Sequence, residues 1–228
     1  MVGGVWVMDA VLLKAMKLLL VDCDSTLSAL EGIDELARLR GPEVFQQVEE
    51  ATRQAMDGTI SIDSIFARRL EVIRPTRQDC EAIGQDYIKH EVPGVREALD
   101  RARELGWTVA ILSGGFVPCI EPLAAELGIE RIEAVPLFFD EAGEYVGFGE
   151  DYPTTRNGGK VEVVEKLREE WKPEQIVMVG DGVSDLETKP AVDHFIGFGA
   201  VVVRPKVHEN ADSFLMEWAG LEEVLARV

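Results

Sequence analysis

The chain has 228 residues, of which 46% are hydrophobic and 29% charged, a composition typical of a globular protein with a sizeable core. Its formal net charge of −19 excludes nucleic acid and an anionic membrane surface as expected partners, because both attract basic proteins. An anionic substrate would therefore have to be held by a few local cationic side chains or by a metal ion.

The cysteine content and the first residues of the chain indicate a cytoplasmic protein. The cysteines are odd in number, widely spaced and without a C-x-x-C pair, which predicts a reducing compartment and no disulfide framework: Cys23, Cys80 and Cys119. Residues 1–17 are rich in apolar side chains, but charged residues interrupt them, which disfavours a membrane span. A secretory signal pattern is also missing, and we interpret this stretch as a leader before the core.

The first strong element is the apolar run Leu18 to Val21, which predicts a short strand buried on both faces. Two carboxylates follow, Asp22 and Asp24, and residues two apart in an extended chain point the same way. An isolated D-x-D is most often a polar turn, and a calcium loop is disfavoured because position 26 is threonine. In an open parallel sheet, however, both carboxylates would face the crevice where ligands bind.

Four helical patterns follow without an intervening strand, which predicts a small helical cap domain at 29–90, inserted after the first core strand. We predict that its first helix starts with a capping box from Ser28 to Glu31 and turns Leu39 inward. Glu31 would then either serve that cap or place a carboxylate at the mouth of the site. Arg69 falls on the apolar stripe of the third helix, where it either extends to the edge of a cleft or binds an anion, and the second interpretation is slightly favoured.

From residue 92 onward strands alternate with helices, which is the pattern of βαβ units and a parallel sheet. The predicted fold class is therefore α/β, with a Rossmann-like parallel sheet core formed by residues 1–28 and 91–228. The later elements that we predict are a strand at 132–137 joined by a hairpin to one at 145–148, edge strands at 194–198 and 201–203, and a terminal helix at 220–228.

Polar groups also stand at the end of a second predicted strand and at the start of a later helix. The strand at 108–112 ends in Ser113, Gly114 and Gly115, whose hydroxyl and backbone N–H groups can hold phosphate oxygens, although glycine turns are common and the signal is weak alone. Lys160 follows two glycines at a helix start, where it could donate to a phosphate or remain a solvated surface group.

A second acidic pair, Asp181 and Asp185, follows the strand at 175–179. With the first pair, four aspartates stand at the carboxyl ends of predicted strands. Clustered carboxylates repel one another unless a hard cation neutralises them, so the pattern implies Mg²⁺.

The motifs D-C-D-S-T, S-G-G, G-G-K and G-D-G-V-S-D, in this order, resemble the haloacid dehalogenase superfamily of phosphotransferases. The resemblance extends from about Leu18 to the C-terminus. The segments that narrow it to members acting on O-phosphoserine, in the last step of serine biosynthesis, are Glu31–Ala37, Ala55-Met56, Arg69-Leu70, Ser113–Phe116 and Phe195–Gly199.

The resemblance also implies roles for single residues. Asp22 would be the nucleophile and Asp24 the general acid and base, and Mg²⁺ would be held by the Asp22 carboxylate, the Asp24 main-chain carbonyl and Asp181, with Asp185 close by. The substrate-binding residues that it implies are Ser113, Gly114, Gly115 and Lys160 around the phosphoryl group, Glu31, Met56 and Arg69 for the amino acid, and Ser25 and Ser184 lining the pocket.

One departure from the family pattern is Asp57, where the family often has glycine after the methionine. A dehalogenase would need only the first carboxylate, so Asp24 favours phosphoryl chemistry. Three functions stay open: hydrolysis of O-phosphoserine through an aspartyl-phosphate, action on another small phosphomonoester such as phosphohomoserine, and a non-catalytic binding scaffold. The intact motifs disfavour the scaffold, and the oligomeric state is left open.

Overall fold

The computed structural model describes residues 16–56 and 62–228, with the backbone alone for 52–56 and 62–64. The predicted leader up to residue 15 and Asp57 lie outside the described residues, as does the side chain of Met56. In chain order the helices and strands are β1 (Lys17–Val21), α1 (Gly32–Leu39), α2 (Pro42–Met56), α3 (Ile62–Ile73), α4 (Arg77–Lys89), α5 (Val95–Glu104), β2 (Trp107–Phe116), α6 (Val117–Glu126), β3 (Arg131–Val135), β4 (Leu137–Phe139), β5 (Tyr145–Phe148), α7 (Gly159–Trp171), β6 (Gln175–Gly180), α8 (Val183–Leu186), β7 (His194–Phe198), α9 (Pro205–Asn210), β8 (Ser213–Leu215) and α10 (Leu221–Leu225).

Within the described residues, six strands form one parallel sheet in the order β3-β2-β1-β6-β7-β8. β1 lies between β2 and β6, and Leu20 is paired with Ala110 on one side and Met178 on the other. Leu18 and Leu20 pack into the apolar cluster that contains α7, whereas Leu19 and Val21 pack into the one that contains α5 and α6. The predicted α/β fold class is therefore confirmed, with a first strand buried on both faces as expected.

Two strand assignments after β6 were wrong. Residues 194–198 form β7, which has β8 as its outer neighbour and so is not an edge, and residues 201–203 are not a strand. Val201 and Val203 have β-branched side chains that favour strands, but they are exposed, and Pro205 starts a helix directly after them. The outer strand is β8, where Phe214 packs over Gly197.

β2 is also longer than predicted. It continues through Ser113, Gly114 and Gly115 to Phe116, with an irregular pairing to β3 after Leu112. The Ser-Gly-Gly segment is therefore not a turn after the strand. It is the irregular last part of β2, at the carboxyl end of the sheet.

Helices α1 to α4 lie between β1 and α5 in sequence, as the cap prediction requires. The capping box at Ser28 was wrong: the helix starts at Gly32, and the buried Ser28 hydroxyl donates to the carbonyl of His90 at 3.3 Å. Leu39 is half exposed, because the buried side of α1 is completed by Leu36 and Ala37.

The last helix of this segment, α4, packs against α6 of the sheet layer. Their contact is so close that a side chain at Gly84 would lie 2.4 Å from Pro122. Cys80 and Cys119 meet in the same contact and are free thiols. The division at residues 29 and 90 stays a prediction.

The predicted hairpin with residues 140–143 in its turn is confirmed, but its first strand was wrong. Instead of one strand at 132–137, the chain forms β3 in the parallel sheet and, after Pro136, the separate strand β4, which pairs with β5. Phe148 of β5 packs against Phe66 of α3, with their ring centroids 5.6 Å apart, so the hairpin touches the inserted helices. None of the helices in the described ranges is both long and apolar enough to cross a membrane.

Candidate active site

The carboxyl ends of β1, β2 and β6 meet the start of α7 and the inserted helices around a cavity of about 220 Å³. The predicted site residues that line it are Asp22, Asp24, Glu31, Arg69, Ser113, Gly114, Gly115, Lys160, Asp181 and Ser184. Asp185 is fully buried in contact with Lys160, and Ser25 is buried behind Glu31. Met56 ends α2, and its position relative to the cavity is not described.

The floor of the cavity is acidic. Among the residues that the structure describes, Asp22, Asp181 and Asp185 bring one carboxylate oxygen each to within 4.8 Å of the others, and all three residues are buried. Burial, followed by the charge of Asp22, raises the pKa of Asp181 and of Asp185. Hard oxygen donors at this spacing suit a divalent cation such as Mg²⁺ or Ca²⁺, which would remove the repulsion.

Lys160 is the cation of this floor. Its Nζ lies 3.0 Å from Asp22 Oδ1 and 2.5 Å from Asp185 Oδ1, and the residue is only 5% exposed. Burial works to lower the pKa of Lys160, but Asp185 and Asp22 outweigh it and raise that pKa. The glycine before it is required, since a Cβ at Gly159 would lie 1.7 Å from the carbonyl oxygen of Pro153.

Asp24 stands apart from the acidic floor. Its Oδ1 accepts a hydrogen bond from the hydroxyl of Tyr87, a residue of α4. Burial and the charge of Glu31 raise the pKa of Asp24 well above that of an ordinary aspartate, while the bond from Tyr87 acts in the opposite direction. A carboxyl group that keeps its proton can act as a general acid.

The Ser-Gly-Gly segment closes another side of the cavity. Ser113 is 1% exposed, and its Oγ accepts a hydrogen bond from the backbone N–H of Gly115 at 3.0 Å. That bond uses the oxygen as an acceptor, so the hydroxyl proton of Ser113 is available for an anion in the cavity.

Glu31 enters the cavity from the start of α1. It occupies the N-cap position, but its side chain makes no capping hydrogen bond. Instead its Oε1 accepts from the Ser25 hydroxyl at 2.7 Å, and Ser25 adopts a left-handed backbone with φ of 53°. Of the two interpretations of Glu31, the structure therefore excludes the capping box and leaves the carboxylate at the mouth of the site.

Arg69 enters from α3. Its Nε is buried and has no hydrogen-bond partner among the described residues. Burial lowers the pKa of Arg69, and the charges of Asp34 and Glu31 act against this. A buried guanidinium nitrogen without a partner is costly, which favours the anion-binding interpretation of this residue over simple extension to the edge of a cleft.

Two residues that the sequence did not single out also belong to the site. Arg204 lines the cavity, with its Nε 2.9 Å from Asp181 Oδ2 and its Nη2 3.7 Å from Glu31 Oε1. Arg204 follows the carboxyl end of β7, the strand beside β6. A basic residue after a strand end could have been recognised from the sequence, but the wrong strand prediction at 201–203 prevented this. Tyr87 could not be recognised from the sequence, because an aromatic residue on the apolar face of a helix has the pattern of an ordinary core residue.

Comparison with known proteins agrees with this arrangement. The sequence model of the haloacid dehalogenase-like hydrolases matches residues 16–189. The chain belongs to the haloacid dehalogenase-like hydrolase family, and the resemblance in the motifs is confirmed.

The relatives within that family are more specific. Phosphoserine phosphatase of Bos taurus is 40% identical over 202 residues, which are 88% of this chain and 89% of the relative. Phosphoserine phosphatase of Methanocaldococcus jannaschii is 31% identical over 216 residues, or 93% and 97% of the two chains. A solved structure described as a phospho-aspartyl intermediate analogue of phosphoserine phosphatase matches with a TM-score of 0.75 at 27% identity, covering 94% of this chain and 100% of the other.

Proposed function

We propose that this protein is a Mg²⁺-dependent phosphomonoester hydrolase that converts O-phosphoserine to serine and phosphate, the last step of serine biosynthesis. The observation that carries the proposal is the placement of Asp22 and Asp24 at the end of β1, in one cavity with Lys160 and with the oppositely charged pair Glu31 and Arg69. The names of the relatives that match nearly the whole chain support the choice of substrate.

The charge around the cavity supports a divalent cation. Counting only described residues, it brings together five carboxylates, on Asp22, Asp24, Glu31, Asp181 and Asp185, and three cationic side chains, on Lys160, Arg69 and Arg204. Asp22, Asp181 and the main-chain carbonyl of Asp24 would hold Mg²⁺, with Asp185 beside them. When bound, the ion would neutralise charge on the phosphoryl oxygens and on the attacking carboxylate.

Each catalytic side chain has a separate role in the proposed reaction. An oxygen of Asp22 attacks phosphorus and gives an aspartyl-phosphate, while the bond to the serine oxygen breaks. Asp24 donates its proton to that leaving oxygen, and its carboxylate then takes a proton from the water that hydrolyses the intermediate. Lys160, the Ser113 hydroxyl and the backbone N–H groups of Gly114 and Gly115 hold the phosphoryl oxygens.

The opposite side of the cavity recognises the amino acid. Arg69 has an unpartnered donor for the carboxylate of phosphoserine, and a guanidinium can bind a carboxylate through two parallel bonds. Glu31 offers a carboxylate to the ammonium group, with Ser25 holding it and Ser184 on the rim. Met56, at the end of α2, completes the set that the family resemblance implies.

The remaining proposals concern binding partners and cellular compartment. The substrate is a small phosphomonoester, and nucleic acid and membrane are not expected as partners of a chain with net charge −19. The buried free thiols of Cys23, Cys80 and Cys119 fit a reducing compartment, and we place the protein in the cytoplasm.

The experiment is a phosphate-release assay with and without Mg²⁺ across O-phosphoserine, phosphohomoserine, glycerol phosphate and an aryl phosphate. We expect the highest kcat/KM for O-phosphoserine, and loss of activity when EDTA is added, restored by Mg²⁺. A higher kcat/KM for phosphohomoserine or another ester would change the assigned substrate but leave the proposed reaction unchanged. Binding of these esters without turnover would indicate the scaffold instead.

A further inference from the structure

The hydroxyl of Tyr87 reaches Asp24 directly from the inserted helices. Tyr87 is fully buried near the end of α4, and its hydroxyl donates to Oδ1 of Asp24, 63 positions earlier in the chain. The aromatic ring belongs to the main apolar cluster, in which α4 packs against α6. The tyrosine is thus fixed by packing, and it does not line the cavity.

The direction of this hydrogen bond follows from the surroundings of Tyr87. The structure, over the residues that it describes, gives the tyrosine hydroxyl no acceptor besides Asp24. A buried hydroxyl proton without an acceptor is costly, so the proton must point at Oδ1 of the carboxyl group.

Space for this contact depends on a glycine at the start of α1. A Cβ at Gly32 would lie 2.1 Å from the Tyr87 hydroxyl oxygen and 3.7 Å from Asp24 Oδ1. The backbone N–H of Gly32 also lies close to the Asp24 carboxylate. Oδ1 of Asp24 therefore lies against the Tyr87 hydroxyl and beside the start of α1.

The other oxygen of Asp24 lies toward the phosphoryl-binding segment. Its Oδ2 is 3.5 Å from the position that a Cβ would take at Gly115, next to Ser113. When a donor already points at Oδ1, the acid proton of the carboxyl group must sit on Oδ2, because two protons cannot share the space between Oδ1 and the tyrosine oxygen.

We propose that Tyr87 is a positioning residue that keeps the transferable proton of Asp24 on Oδ2, where it faces the leaving oxygen of the substrate. The inference rests on the proposed acid role of Asp24. In the step concerned, the bond from Asp22 to phosphorus forms, the bond from phosphorus to the alkyl oxygen breaks, and the Oδ2 proton moves to that oxygen. Tyr87 keeps its own proton throughout.

The test is a rapid-quench measurement of Asp22 phosphorylation by Tyr87→Phe, with an alkyl phosphate and with p-nitrophenyl phosphate. The alkyl substrate is the ester that the assay above shows to be turned over best, so a wrong substrate assignment does not affect this test. We expect phosphorylation by the alkyl ester to slow by up to about 10-fold, the upper value for one hydrogen bond between uncharged groups. The aryl ester, whose leaving group needs no proton, should change less than about twofold, and KM for the alkyl ester should stay the same.

A double-mutant cycle shows whether the effect passes through Asp24. In an Asp24→Asn background, Tyr87→Phe should cause no further slowing with the alkyl ester. The matched control is Tyr152→Phe, which removes another tyrosine hydroxyl that donates to a carboxylate, that of Glu133, outside the cavity. It should leave both substrates unchanged.

Equal slowing with the two esters, no slowing, or slowing that persists beside Asp24→Asn would each overturn the proposal. Folding of every variant is checked by its melting transition. Should Tyr87→Phe fail to fold, Gly32→Ala displaces the same hydroxyl from the opposite side and must give the same selective loss.

Discussion

The two sides of the cavity are built differently. On the sheet side, Ser113, Lys160 and Asp185 are each at most 5% exposed and are tied to one another or to backbone groups. On the side of the inserted helices, the Glu31 side chain is 44% exposed, and Arg69 keeps a donor without a partner in the described structure. The sheet side of the cavity is thus ordered by contacts within the protein. The side of the inserted helices still has, within the described residues, an exposed carboxylate and an unpaired donor that a ligand could bind.

This difference fits the proposed division between residues that carry out the reaction and residues that recognise the substrate. Groups that stabilise developing charge act best when they are held in place before the substrate arrives, which the sheet side achieves by burial and ion pairing. Groups that select a substrate gain from bonds completed only in the complex. Tyr87 belongs to the inserted helices by sequence but contacts Asp24 of the sheet side, because α4 is packed onto α6.

The largest effect should come from the sheet side at Asp22. Asp22→Asn removes the attacking oxygen charge, and we expect turnover of O-phosphoserine and of an aryl phosphate to fall together by about 10⁴–10⁶-fold, as for other lost nucleophiles. Acid quenching during turnover of ³²P-labelled substrate should trap an acyl phosphate on the wild type alone. A labelled Asp22→Asn protein would assign the nucleophile elsewhere.

The next effect, at Asp24, should depend on the leaving group. Asp24→Asn cannot supply a proton, so phosphorylation by an alkyl phosphate should slow roughly 10²–10⁴-fold, the usual contribution of a general acid. Phosphorylation by p-nitrophenyl phosphate should suffer much less in the same single-turnover experiment. Equal losses with the two esters would remove the acid role.

A smaller and substrate-selective effect is expected on the recognition side. Arg69→Lys, Arg69→Ala and Glu31→Gln should each lower kcat/KM for O-phosphoserine about 10–100-fold, because each loses a hydrogen bond to a charged group. Lysine cannot copy the two-bond geometry of arginine. An aryl phosphate lacks the amino-acid groups, so its hydrolysis should change little.

The matched control for Arg69 is Arg68→Ala, which removes the neighbouring, exposed arginine of α3 and should leave both activities unaltered. If folded Arg69→Ala lost activity equally on both substrates, or on neither, the comparison between the two sides of the cavity would fail.

The smallest effect concerns stability, at the start of α4. Thr76 and Asp79 form a capping box, in which the Asp79 carboxylate accepts from the Thr76 backbone at 2.7 Å and also pairs with Arg40. Partial burial works to raise the pKa of Asp79, but the bonds from Thr76 and Arg40 outweigh it and lower the pKa. Asp79→Asn should therefore destabilise the fold by about 1 kcal/mol at pH 7.

The pH dependence of that loss has a defined sign. A carboxylate with a lowered pKa in the folded state stabilises above its unfolded value of about 4, and this stabilisation disappears as the pH falls through the folded pKa. Urea unfolding should show the wild type and Asp79→Asn converging below about pH 4. Asp86→Asn, which breaks an exposed pair with Lys89 in the same helix, is the control and should change stability by less than about 0.5 kcal/mol. A constant difference down to pH 2 would contradict the assignment.

The sequence by itself determined the α/β class, the buried first strand and the four helices that follow it, because apolar periodicity and glycine or proline boundaries are local signals. It also placed Asp22, Lys160 and Asp181 correctly at strand or helix ends, since the carboxyl ends of parallel strands meet at one edge. Where two local patterns competed, as at Ser28 and at Val201 to Val203, the prediction was wrong.

The tertiary structure alone decided which partners these residues have. Asp24 meets Tyr87 only because α4 lies on α6, and Arg204 reaches Asp181 only because the chain leaves β7 without forming another strand. Such contacts join residues far apart in sequence, and their geometry is set by the packing of whole helices and strands. No local spacing in the chain encodes it.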